Sequence, residues 1–352
     1  MNFLRLLIIL CSISASLSAE TSVQISLSES QQKFRGVLAS KVELLARKNM
    51  GVCAEPDGWL FLTWEFRLLV HDRFWGDEAR KVSQSQKPEL ADPIPAILDF
   101  QKQLKALGID LLVVPVPPKI AIYPEKILPD FNVRTDDSAP VLHRFYEELR
   151  SAGIDVFDLM PLFIQNRDDK RGGVFCKTDS HWSGLGCVLA AQAIAEKIRG
   201  KLMTPPLPKE YIAEWKECQI NGDLFGLLPS DSPKPGPERI AVRNVSEKGS
   251  GAAMMPDVNS PLLLIGDSST LVLHDFLTER SGLVDQLAQE LGFAPDLIGI
   301  RGSGATPARI SLYRRSLKDS EYLGKKKVVV WCFAAREFIE AEAGWGKIPI
   351  AK

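Results

Sequence analysis

Two short blocks of this chain carry the residue types that acyl transfer needs. Lys177-Thr178-Asp179-Ser180-His181-Trp182 sets a carboxylate and an imidazole two residues apart, just ahead of a good helix start. Leu262-Leu263-Leu264-Ile265-Gly266-Asp267-Ser268-Ser269-Thr270 ends an apolar run in Gly-Asp-Ser. A serine hydroxyl is nearly inert at its own pKa and needs a base that titrates near neutrality, which in turn needs a carboxylate to fix its tautomer. If the fold unites the blocks, Ser268 is a nucleophile, His181 its base and Asp179 the orienting acid. Gly-Asp-Ser has an equally open second reading, in which Asp267, Ser268 or Ser269 caps a helix beginning near Thr270. Metal binding by Asp179 and His181 competes as well, but spacing offers no third ligand, so neither metal nor cofactor is expected. The remaining histidines, His71, His143 and His274, have no partner at comparable spacing and read as packing, capping or solvated side chains.

The elements that must position these blocks follow from periodicity. Ser28 to Met50 has helical spacing and reads as a leading helix. Glu55-Pro56-Asp57-Gly58 is a turn into the short strand Trp59 to Leu62. Further strands are expected at Ile109 to Val116, Ile154 to Phe157, Leu262 to Ile265, Leu297 to Ile300 and Lys327 to Trp331. Between them lie helical patterns at Ile94–Leu107, Val141–Ala152, Ser183 (as N-cap) to Ile198, Leu271–Leu291 and Ala308–Leu323. Short apolar strands alternating with helices predict an α/β fold, a central mostly parallel sheet between helical layers. Ligands of such sheets bind beyond the carboxyl ends of the strands, where Ser268 would sit. Residues 229–261 break the rhythm with Pro, Gly, Ser and charges. They read as a surface excursion, a small antiparallel insert or a lid, and lie between base and nucleophile, where a gate could form.

The whole chain bounds the partners. It has 352 residues, 45% hydrophobic and 25% charged, with a net charge of −1 and no basic stripe. Nucleic acid is therefore not an expected partner. Residues 1–19 combine Arg5, the apolar Leu6 to Cys11 and a small-residue exit to Ala19, as a secretory signal or an N-terminal membrane anchor does. Residues 20–50 then hold the leading helix and 51–350 one domain. Export leaves Cys53, Cys176, Cys187, Cys218 and Cys332 in an oxidising compartment, enough for two disulfides and a free thiol. Cys53 with Cys218 is the bridge expected first.

These pieces, in this order, resemble the alginate O-acetyltransferase family of the AlgJ and AlgX type, whose domain is related to the SGNH (GDSL) hydrolases. The resemblance runs from Asp57-Gly58-Trp59-Leu60-Phe61 through Val114-Pro115-Val116-Pro117-Pro118-Lys119, Tyr123-Pro124-Glu125-Lys126, Thr178-Asp179-Ser180-His181-Trp182, Gly222-Asp223-Leu224-Phe225-Gly226 and Gly266-Asp267-Ser268 to Val328–Phe338. It implies an SGNH hydrolase-like three-layer sandwich with permuted motif order, acid and base preceding the nucleophile. It also implies that Asp179, His181 and Ser268 form the triad of an exported, periplasmic enzyme. That enzyme would move acetyl groups through an acyl-serine to a polysaccharide, receiving them from a membrane-bound O-acyltransferase. Cys332 stands where the resemblance leads one to expect an acidic residue.

The tetrahedral oxyanion would be held by the amide of Ser268 or Ser269 and a second donor from the Gly302-Ser303-Gly304 loop, which otherwise reads as a plain turn. Trp182, with Trp64 or Trp75, could stack on a sugar or belong to the core. A carbohydrate esterase with the same triad and a non-catalytic subunit of a polysaccharide assembly remain alternatives.

Overall fold

The computed structural model describes residues 26–202 and 208–351. The expected signal or anchor at residues 1–19 lies outside them, and no described helix is long and apolar enough to cross a membrane. The chain opens with α1 (Glu29–Arg47). It is fixed at its start by reciprocal bonds: Ser28 Oγ accepts from Gln31 N at 3.2 Å, and Gln31 Oε1 accepts from Ser28 N at 2.8 Å. A hairpin of β1 (Val52–Glu55) and β2 (Trp59–Leu62) follows, then α2 (Thr63–Val70), α3 (Ile94–Ala106), β3 (Asp110–Val116), α4 (Pro140–Ser151), β4 (Asp155–Val156) and α5 (Gly184–Ile198). The second half comprises β5 (Tyr211–Ile220), β6 (Glu238–Glu247), β7 (Leu262–Gly266), α6 (Leu283–Leu291), β8 (Asp296–Gly299), α7 (Pro307–Lys318) and β9 (Val328–Ala334).

Five strands form one parallel sheet in the order β4-β3-β9-β7-β8. Every residue of β9, the middle strand, is buried, as a strand covered on both faces must be. Its Trp331 packs against Phe100 of α3, Phe333 and Trp345. The step from β3 to β4 runs one way along the sheet and the step from β7 to β8 the other. Right-handed crossovers therefore place α4 and α6 on opposite faces, giving the three layers. All five strands run the same way, so the segments after β7, β8 and β9 emerge along one edge.

Three expectations are corrected. The helix expected over Leu271–Leu291 is confined to α6. Residues 268–270 make a single 3-10 turn, after which Leu273, Leu277 and Arg280 adopt positive φ that no α-helix holds. The 229–261 stretch is not irregular throughout but holds part of a small antiparallel insert, one of its three readings: β6 pairs antiparallel with β5 along ten residues, from Tyr211↔Glu247 to Ile220↔Glu238. The Cys53–Cys218 bridge does not form, and all five described cysteines are free thiols. Cys53 faces Glu55 Oε1 at 3.1 Å in the first hairpin, while Cys218 belongs to the second. A smaller difference is that α7 stops at Lys318, five residues short of Leu323.

Candidate active site

The nucleophile's turn is built by close packing at the end of β7. A Cβ on Gly266 would collide with the carbonyl oxygen of Cys332 in β9. Only glycine lets the two strands approach there, and close approach rather than freedom to turn is what this glycine supplies. Asp267 then locks the corner: Oδ1 accepts from Ser269 N at 2.8 Å and Oδ2 from Ala334 N, the last residue of β9, at 2.7 Å. The capping role foreseen for Asp267 is thus real, and it leaves the next side chain, Ser268, 9% exposed.

The loop that delivers the imidazole is held by side chains from far along the chain. Lys119 is fully buried, and its Nζ donates to the carbonyls of Cys176 at 3.0 Å, Lys177 at 3.2 Å and Asp179 at 2.8 Å. Its backbone N donates to Glu65 Oε2 at 3.0 Å. Burial lowers the Lys119 pKa and pushes the Glu65 carboxyl up to about 7. From β6, Glu238 accepts from Lys177 N at 2.7 Å, Thr178 N at 2.9 Å and Thr178 Oγ at 2.8 Å. Ser183 caps α5 as expected, accepting from Gly186 N.

The two loops meet. His181 Nε2 lies 2.8 Å from Ser268 Oγ, and His181 Nδ1 lies 2.7 Å from Asp179 Oδ1. The same Asp179 oxygen accepts from His181 N at 2.9 Å, fixing the loop as well as the ring. An Nδ1–H donating to Asp179 leaves Nε2 to accept the serine proton. Burial acts to lower the His181 pKa, but the bond and charge of Asp179 outweigh it and the net shift is upward. Asp179 shifts the opposite way, burial being outweighed by His181.

Asp223 completes the arrangement, and sequence spacing did not single it out. Its backbone N donates to Asp179 Oδ2 at 2.9 Å. Its carboxylate accepts from Ser180 N at 2.7 Å and Ser180 Oγ at 2.6 Å, with Oδ2 3.7 Å from His181 Nδ1. Gly222 makes the approach feasible, since a Cβ there would collide with the Thr178 carbonyl. Asp179, His181 and Asp223 offer ligand atoms within 4.8 Å of one another, so the third metal ligand that spacing did not reveal exists. Those atoms already serve the hydrogen bonds just described, and His181 Nε2 faces Ser268. That pattern is the one for moving a proton.

The other anticipated residues fall into place unequally. Ser269 N is committed to Asp267 and is unavailable to an oxyanion. Gly304 packs against the backbone and side chain of Asp267, and its carbonyl accepts from Trp331 Nε1. Gly302 and Ser303 line a cleft of about 730 Å³ with Trp64, Arg67, Arg336 and Glu337. There Ser303 Oγ donates to Glu337, whose carboxyl burial pushes up to about 7. Trp182 and Trp75 are fully buried and stack on nothing outside the core; Trp64 is 44% exposed. Cys332 is buried in β9 beside Gly266. His274 pairs with Asp285 at 2.9 Å and His143 with Asp137 at 2.7 Å, so neither imidazole bonds Ser268. Lys119, Glu238 and Asp223 were missed as site residues, although Lys119 and Asp223 sit in quoted motifs. A polar residue that a loop buries far away leaves no periodicity to read.

A parallel five-stranded α/β sandwich with aspartate, histidine and serine in that chain order, meeting at the carboxyl edge of the sheet, defines an SGNH hydrolase-like domain of permuted motif order. Residues 52–335 match the family described as the SGNH hydrolase-like domain of the acetyltransferase AlgX, and the chain belongs to that family. It is similar to the probable alginate O-acetylase AlgJ of Pseudomonas aeruginosa, 29% identical over 233 residues covering 62% of this chain and 55% of that protein. Its likeness to the protein of the same name from Pseudomonas putida is 27% over 308 residues, 85% of this chain and 73% of that one. The chain thus spans about half the length of the first relative. Among solved structures, the O-acetyltransferase domain of P. putida AlgJ shares the fold with a TM-score of 0.61 at 24% identity, over 82% of this chain and 92% of that one. P. aeruginosa AlgX does so with 0.57 at 18%, over 80% and 62%.

Proposed function

We propose that this protein is an exported O-acetyltransferase that moves acetyl groups through an acyl-serine onto the hydroxyls of a polysaccharide, alginate being the polymer named for its relatives. The observation that carries the reading is the 2.8 Å approach of His181 Nε2 to Ser268 Oγ, with Asp179 on the opposite ring nitrogen. Ser268 Oγ attacks the acetyl carbonyl of a donor ester while His181 Nε2 takes its proton. The tetrahedral oxyanion is held by the Ser268 N–H together with the Gly304 N–H. Neither has an internal acceptor among the described residues, and Gly304 packs directly on Asp267. Collapse breaks the donor C–O bond, and His181 returns its proton to the departing alcohol. A sugar hydroxyl then loses its proton to His181 as it attacks acetyl-Ser268, and Ser268 leaves with that proton. Positioning of the sugar against competing water makes the protein a transferase.

The signal-like residues 1–19 favour a periplasmic site of action, free or tethered to the inner membrane, with a membrane-bound O-acyltransferase delivering the acetyl group. The test supplies a synthetic acetyl ester and an oligosaccharide acceptor. O-acetylated sugar should form with wild-type protein and vanish in Ser268→Ala. Hydrolysis undiminished by acceptor would instead make the protein an esterase, and inertness toward both ester and sugar would make it a non-catalytic subunit.

A further inference from the structure

A second cavity, about 580 Å³, is lined by Lys177 and Thr178 of the loop that carries Asp179 and His181. Its walls come from the tip of the β1–β2 hairpin (Asp57, Trp59), residues 123–126, residues 167–178, and residues 235–241, which lead into and begin β6. Many of its charges are already committed. Arg167 bonds Glu125 and the Ile122 carbonyl, Arg171 bonds Asp169 at 2.8 Å, and Glu238 is spent on the backbone of Lys177 and Thr178. Three cations are not. Lys126, Lys177 and Arg239 have no ion pair among the described residues, and the one uncommitted acid on the walls is Asp57. Lys126 and Lys177 also share an aromatic neighbour: their Nζ atoms lie 5.3 Å and 5.8 Å from the ring centroid of the same indole, Trp59. Two like charges beside one ring, neither in an ion pair among the described residues, form a site whose missing component is an anion.

Resting on the polysaccharide reading above, we propose that this cavity is a subsite for a carboxylate-bearing segment of the acceptor chain, a run of one to a few uronate rings. The cavity has the size of a small-ligand site. Its apolar lining of Tyr123, Phe175, Pro235 and Pro237 suits the C–H faces of pyranose rings, while Lys126, Lys177 and Arg239 take the carboxylates. A seated chain is registered to the chemistry by the loop itself. Lys177 and Thr178 line the cavity, Glu238 in its wall pins both their amides, and the next residue is Asp179.

The experiment titrates full-length Ser268→Ala protein with a uronic-acid hexasaccharide and with the same hexasaccharide after reduction of its carboxylates to alcohols. The uronate should bind at least tenfold tighter than its reduced form. The pair Lys126→Gln with Arg239→Gln should weaken uronate binding tenfold or more, whereas Arg314→Gln with Lys318→Gln, exposed on α7, should not. Asp57→Asn keeps a side chain suited to the positive φ at that position and removes the opposing charge, so it should tighten binding severalfold and stands in if the double variant fails to fold. Equal affinity for both sugars, or uronate affinity unmoved by the cavity substitutions, overturns the subsite. Uronate binding that depends on the cavity, in a protein whose wild type transfers no acetyl group, would retain the subsite and remove the transferase. Acetyl transfer indifferent to the cavity would do the reverse.

Discussion

The two loops that meet at the site are held in place by different physics. The Ser268 turn is an outgrowth of regular structure. It leaves β7 against β9 with no room for a side chain at Gly266, and Asp267 spends both carboxylate oxygens on nearby backbone N–H groups. The His181 loop has no such frame. A buried ammonium from Lys119, a carboxylate from Glu238 and the 222–223 turn hold it, supplied from 60 residues before to 60 after. The nucleophile is placed by backbone packing and the base by a polar network. The first should fail all at once and the second by degrees, because a network loses one bond at a time while a backbone collision has no partial remedy.

The contrast can be broken from either side. Gly266→Ala should have the largest effect, since the new methyl meets a backbone carbonyl that cannot swing aside. A loss of roughly 3 kcal/mol or more, or outright failure to fold, is expected in chemical denaturation. Lys119→Met comes next. It leaves three carbonyls without their donor and Glu65 with only one of its two cationic neighbours, Arg336 at 3.9 Å, which should lower stability by about 3 kcal/mol and turnover more than tenfold. If that variant kept full turnover, the base would not depend on the network.

Asp223→Asn tests the network's electrostatics more finely. Asp223 and Asp179 both raise the His181 pKa, and the amide would remove one of those charges while keeping the backbone N–H that bonds Asp179. The pKa of His181 should therefore fall, and more of the imidazole is unprotonated at any acidic pH. The acid limb of a kcat/KM against pH profile should accordingly move to lower pH, with a small change at neutrality. A limb that stays put, or moves to higher pH, would remove Asp223 from the proton path. The smallest effect concerns staples. With the five described thiols free, reductant should leave the melting temperature within about 1 °C, whereas a drop of several degrees would mean that bridges form after all.

The same division explains what the sequence made legible. Parallel strands buried on both faces are continuous apolar runs, so β3, β7 and β9 were readable to within a few residues, as was the cap Ser183. The β5–β6 hairpin was not, because most of β5 faces solvent and Tyr211-Ile212-Ala213-Glu214-Trp215-Lys216 lacks a sustained alternation. The helix expected after Ser268 failed for a related reason. Apolar spacing from Leu271 onward persists, yet the chain folds back through positive-φ positions before Gly282 to bury those residues. Asp179, His181 and Ser268 stood out by residue type. Ser269 and Trp182 did as well, and capping and burial claimed them, while Asp223 and Lys119 act through contacts that only the folded chain creates.

The central claim is that Ser268, activated by His181, carries the acetyl group. Full-length protein incubated with an activated acetyl ester, quenched in acid and analysed by peptide mass should show one added acetyl on the peptide holding Ser268. Ser268→Ala should show none, and His181→Gln should accumulate it at least 100-fold more slowly. Acetyl found on another residue, or turnover surviving in Ser268→Ala, would contradict it.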